Sequence, residues 1–127
     1  MPIENYNFTD STQDLILACM IGKPDEFLGV LIAIKPEYFN GKVAVDTAAV
    51  LYEMRLDGES PSFLELACCC RDRYLRENPD HAQALYDYVA KLQELDTSEW
   101  QQVRDRCRAF ARERALQMVI KKLIVTS

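Results

Sequence analysis

Apolar residues recur along this chain at intervals of three and four, the spacing of a helix face buried against a core. Nowhere do apolar and polar residues alternate for long enough to suggest a half-buried strand. The pattern predicts an all-α fold. Residues 10–21 open with Asp10, Ser11 and Thr12, run into apolar residues with Leu15, Ala18, Cys19 and Ile21 facing inward, and stop at Gly22. Pro24 followed by Asp25 and Glu26 suits the positive end of a second helix, in which Phe27, Val30, Leu31 and Ile34 repeat at helical spacing before Pro36. After a turn carrying Tyr38 and Phe39, a third helix covers residues 43–56 with Thr47, Val50, Leu51 and Met54 inward, and Asp57-Gly58 ends it.

Ser62-Phe63-Leu64-Glu65 has the form of a capping box leading into a fourth helix, with Phe63, Leu66, Ala67, Cys70 and Tyr74 on its inner face. Asn78-Pro79-Asp80 interrupts it, and a fifth helix over residues 82–95 presents Leu85, Tyr88, Val89 and Leu92. The predicted core is Leu15, Phe27, Leu31, Phe39, Val50, Leu51, Leu66, Leu85 and Leu92.

The last segment is the most informative. Ser98-Glu99-Trp100-Gln101 reads as another capping box, and neither Gly nor Pro occurs between it and Ser127. A helix over residues 98–125 would be about 40 Å long, more than a domain of this size needs for its own core. Its apolar residues fall into two stripes. Trp100, Val103, Cys107, Phe110, Ala111 and Met118 form one; Leu116, Ile120, Leu123 and Ile124 form the other. Two stripes imply two partners, one of them outside the head. The expected organisation is a polar tail at 1–9, a helical head of about five helices at 10–95, and the long helix.

At 127 residues the chain is one domain, and 28% charged residues with four Gly and five Pro exclude a disordered or collagen-like chain. The longest apolar run, residues 15–21, is far short of the roughly 18 residues that span a bilayer. The polar opening Met1-Pro2-Ile3-Glu4-Asn5 lacks the basic and apolar segments of an export signal, so a cytoplasmic location is expected.

The net charge of −5 divides unevenly, −10 over residues 1–100 and +5 over residues 101–127. The positive part carries Arg104, Arg106, Arg108, Arg112 and Arg114. Arg104, Arg108 and Arg112 are candidates for contact with a nucleic-acid backbone, but the acidic head would repel phosphate and the series has only Phe110 among it as a stacking ring. A solvated or acid-paired face is the expected role, with no direct nucleic-acid binding.

The five cysteines, Cys19, Cys68, Cys69, Cys70 and Cys107, contain no C-x-x-C pair, and three consecutive helical positions diverge by roughly 100° each. They read as reduced, mostly buried thiols, not as metal ligands or disulfides. The single histidine, His81, has no Cys or Ser near it in sequence with which to form a nucleophile–base pair, and the four glycines are too scattered for a phosphate loop. A non-enzymatic binding or assembly module without catalytic residues, cofactor or metal is the expected class.

Several strings, in order, resemble the N-terminal domain of DnaB-type replicative DNA helicases. They are Thr12-Gln13-Asp14-Leu15-Ile16-Leu17-Ala18, Pro24-Asp25-Glu26-Phe27, Lys35-Pro36-Glu37-Tyr38-Phe39, Asp87-Tyr88-Val89-Ala90-Lys91-Leu92 and Ala111-Arg112-Glu113-Arg114-Ala115-Leu116. The likeness runs over residues 10–124. It departs at Leu17, where the family has a small residue, and at Asn40-Gly41-Lys42-Val43-Ala44, where the family starts a helix with aromatic residues and histidine.

The resemblance implies an α-helical collar domain that supports oligomer assembly through paired helical arms and docks primase. On that basis partner contacts are expected at Tyr88, Leu116, Ile120 and Ile124, with self-association and a helicase or primase as partners. The alternative expectation is a stand-alone adaptor from a phage or mobile element that binds a host helicase or primase and redirects or inhibits it.

Overall fold

The computed structural model describes residues 10–126. It contains six α-helices and a single 3-10 turn, and no strand among the described residues. The helices are α1 (Asp10–Gly22), α2 (Leu28–Ala33), α3 (Lys42–Leu56), α4 (Phe63–Tyr74), α5 (Pro79–Gln93) and α6 (Trp100–Thr126), with the 3-10 turn at Pro36–Tyr38. The expected tail at 1–9 lies outside the described residues.

The sequence of α1 is apolar from Leu15 to Ile21, and a helix apolar on all sides must be enclosed on all sides. That is its place. Ile16, Leu17, Ala18, Cys19, Met20 and Ile21 are all buried, and α2, α3, α5 and α6 pack around it. The expected inward set was therefore too narrow: Ile16, Leu17 and Met20 are core, whereas Leu15 is half-buried, as is Leu31 on α2. The other predicted core residues, Phe27, Phe39, Val50, Leu51, Leu66, Leu85 and Leu92, are buried.

Helix ends show where local chemistry decides. The α4 box forms as the sequence requires: Glu65 N–H donates to Ser62 Oγ at 3.1 Å, and Ser62 N–H donates back to Glu65 Oε1 at 3.2 Å. Helix α3 stops at Gly58, whose φ of +85° lets Glu59 N–H reach the Met54 carbonyl and its own N–H reach that of Arg55.

Three starts differ from the pattern. Pro24 lies in a turn, and α2 begins at Leu28. Helix α5 begins three residues earlier than expected, because Asn78 accepts from His81 N–H at 3.0 Å and Pro79 takes the first helical position. At α6 the Ser98 amide is taken by Asp96 Oδ1 at 2.9 Å, and the helix starts through Trp100 N–H on the Thr97 carbonyl instead of a capping box.

The two aromatic residues of the turn are spent on fixing α6. Phe39 is buried, with its ring 5.7 Å from that of Phe110. On the neighbouring side Phe27 meets Trp100 at 6.4 Å. Gln13 ties α1 to the same turn, its Oε1 accepting from Asn40 N–H at 2.7 Å.

One substitution type should act with opposite signs at two glycines. A Cβ on Gly29, in α2, would meet nothing within 4 Å, so Gly29→Ala should stabilise by about 0.5–1 kcal/mol through backbone entropy. Gly58→Ala should destabilise by about 1–2 kcal/mol, since alanine disfavours the left-handed φ. Urea melts of both variants measure the pair.

Candidate protein-interaction surface

Helix α6 divides into two parts along its 27 residues. Its first half packs on α1, α2 and the 3-10 turn, with Cys107 and Phe110 buried and Trp100, Val103 and Ala111 half-buried against the core. Arg114 is the last inward side chain. It is 7% exposed, its guanidinium lies 5.5 Å over the Phe110 ring, and Nη1 donates to Gln117 Oε1 at 2.8 Å. Burial pulls the guanidinium pKa down from its usual range, against the opposing pull of Asp10 and Glu113. The arginine series is thus not one solvated face: Arg104, Arg106, Arg108 and Arg112 are exposed and Arg114 is inside.

Beyond Arg114 the apolar residues turn outward. Leu116, Val119 and Leu123 are 51%, 53% and 62% exposed; Ile124 is exposed and Ile120 is half-buried. At roughly 100° per residue, Leu116, Val119, Ile120 and Leu123 share one sector on the side of α6 opposite Cys107 and Phe110. Their i, i+3, i+4, i+7 spacing is that of a helix seam awaiting another helix. Val119 belongs to this stripe although the expected set omitted it; a β-branched residue three positions after Leu116 was the available signal.

Tyr88 stands apart from this stripe. It lies half-buried on α5, and its hydroxyl donates to Asp14 Oδ1 of α1 at 2.5 Å. Burial, with the hydrogen bond to Asp14 second, pushes the phenol pKa upward. Arg104, Arg108 and Arg112 share one side of α6, and Arg104 also lies 5.2 Å from the centre of the Trp100 ring.

His81 proves to be a cross-link between helices. Its Nε2 lies 2.8 Å from Asp46 Oδ2, which must accept, and its ring meets Tyr74 edge-on at 5.3 Å. Lys42 adds a second contact to Asp46 at 3.1 Å. Nothing in sequence spacing joins residues 46 and 81.

Of the cysteines, Cys19, Cys70 and Cys107 are buried, Cys68 is intermediate and Cys69 is exposed. Burial pushes the three inner thiols up, to about 11 for Cys19 and about 12 for Cys70 and Cys107. Among the described residues, no group of three or more His, Cys, Asp or Glu is placed to hold a metal ion. No helix among them is long and apolar enough to cross a membrane.

Comparison with protein-family models, with curated proteins and with solved structures finds no match for this chain. Its functional reading therefore rests on its own residues.

Two outcomes follow from this geometry. Native protein treated with a thiol reagent should label quickly at Cys69 and more slowly at Cys68, with Cys19, Cys70 and Cys107 reacting only on unfolding; mass spectrometry of the digested protein assigns the sites.

The second concerns Asp46. Burial raises its pKa, and the hydrogen bonds from His81 and Lys42 outweigh that, leaving a net depression. A depressed carboxyl contributes stability above its unfolded value, near 4, and loses it as pH falls through the folded value. Asp46→Asn should lower the melting temperature above about pH 5. The gap to wild type should close below about pH 4, as followed by circular dichroism across a pH series.

Proposed function

We propose that this chain is a non-catalytic protein-interaction domain of DNA replication. In this reading it resembles the collar domain of replicative helicases, assembles through α6 and engages a helicase or primase. The observation that carries the assembly part is the outward stripe Leu116, Val119, Ile120 and Leu123 on the half of α6 that has left the core. Soluble proteins seldom leave such a stripe in water. Covering each large side chain is worth roughly 1.5–3 kcal/mol before ordering costs, enough for micromolar pairing of two such helices. The replication part is supported by the ordered strings of residues 10–124 that resemble the helicase N-terminal domain.

The assembly half predicts a concentration-dependent increase in mass by sedimentation velocity. Leu116→Asp combined with Leu123→Asp should reduce the chain to a monomer. Its melting temperature should stay essentially unchanged, because neither side chain belongs to the core. A wild type that stays monomeric at hundreds of micromolar, or a variant that loses head stability, would sink this half.

The replication half is tested by adding the purified chain to a reconstituted helicase–primase reaction. Altered unwinding or primer synthesis is the expected outcome, and no effect at any concentration would remove the assignment to replication.

A further inference from the structure

A second surface lies on a different side of α6. Helices α2 and α6 run past each other without closing, leaving a groove of about 580 Å³. Its floor is apolar, made by Val30, Ala33, Cys107 and Ala111. Gly29 is part of the reason the groove is open, since a Cβ there would meet nothing within 4 Å. The α6 rim carries Arg104 and Arg108, and Arg112 continues the same row one turn on. None of the three forms an ion pair among the described residues. Three unpaired guanidiniums at i, i+4 and i+8 thus stand along an apolar trough, on a chain otherwise rich in carboxylates.

We propose that the α2–α6 groove is the docking site for an acidic amphipathic helix of a partner protein. A helix laid along α6 sets its apolar stripe on Val30, Ala33 and Ala111. Carboxylates four residues apart on its flank match the arginine row, because both repeat at about 6 Å. Arginine pairs with carboxylate by parallel hydrogen bonds, which fixes register as well as attraction.

A nucleic-acid strand fits less well. The apolar floor offers nothing to a phosphodiester, and Glu26 and Asp105 on the same groove would repel it. The only tryptophan beside the row is half-buried, with Lys23 and Arg104 already placed over its ring. The groove faces roughly 100° away from the Leu116–Leu123 stripe, so this inference stands independently of self-association through α6.

The experiment displays a library of helical peptides with a fixed Leu/Ala stripe and flanking positions randomised among Glu, Lys and Gln. Selection is on the full chain. Expected is enrichment of Glu at i, i+4 and i+8 on one flank.

Binding of a selected peptide, read by fluorescence anisotropy, should weaken at least tenfold in Ala33→Trp, which fills the groove from an exposed position. It should weaken equally in Arg104→Glu/Arg108→Glu. Far-UV spectra and melting curves verify that both variants fold, and Arg106→Glu, off the row, should bind as wild type.

Enrichment of Lys, no enrichment, or a selected peptide indifferent to Ala33→Trp would each overturn the proposal. So would tight binding of a single-stranded oligonucleotide that Arg104→Glu/Arg108→Glu abolishes while no acidic peptide binds. If Ala33→Trp abolishes self-association in sedimentation, the groove belongs to a second copy and the partner-helix assignment fails.

Discussion

The enclosure of α1 is the constraint from which the rest of the architecture follows. Six consecutive residues, Ile16 to Ile21, lie at 5% exposure or less, so the helix offers no face to water. A single helix can be hidden only by a ring of others, and the chain supplies α2, α3, α5 and the first half of α6 for the purpose. Helix α4 then covers α5 and α3, a second layer that touches the centre less. Because the ring needs only about four turns of α6, the remaining turns have no work inside the domain. The outward stripe is therefore a direct result of how little of α6 the centre requires.

Much of this was legible in the residues. Six helices, the α4 capping box, the Gly58 stop and the two-sided character of α6 all follow from spacing and end chemistry. What spacing misjudged was α1: a run apolar on every side has no preferred face, so choosing Leu15 over Ile16 and Leu17 had no physical basis in the sequence. The α6 start was misjudged because two side chains competed for one amide, and Asp96 held Ser98 first.

The surfaces were legible by half. Leu116, Ile120, Leu123 and Ile124 could be read as a stripe from one helix alone. The α2–α6 groove could not, because it is made by residues some 75 positions apart whose approach depends on Phe39 and Phe27 seating α6. The same holds for the Asp46–His81 cross-link. The arginine series looked uniform in sequence, yet helical geometry sends Arg114 inward and leaves Arg104, Arg108 and Arg112 as a row.

Arg114 also sets how far α6 can travel. If the helix moved toward the head by one turn, about 5.4 Å, its guanidinium would arrive where the Phe110 ring sits against Phe39. If it moved the other way, Arg106 would be drawn toward the same apolar seat. Either slip buries a cation against two phenyl rings without a carboxylate to meet it, so the helix is locked in one register. The free half of α6 is accordingly a ruler of fixed length, and whatever grips its far end is held at a set height above the head.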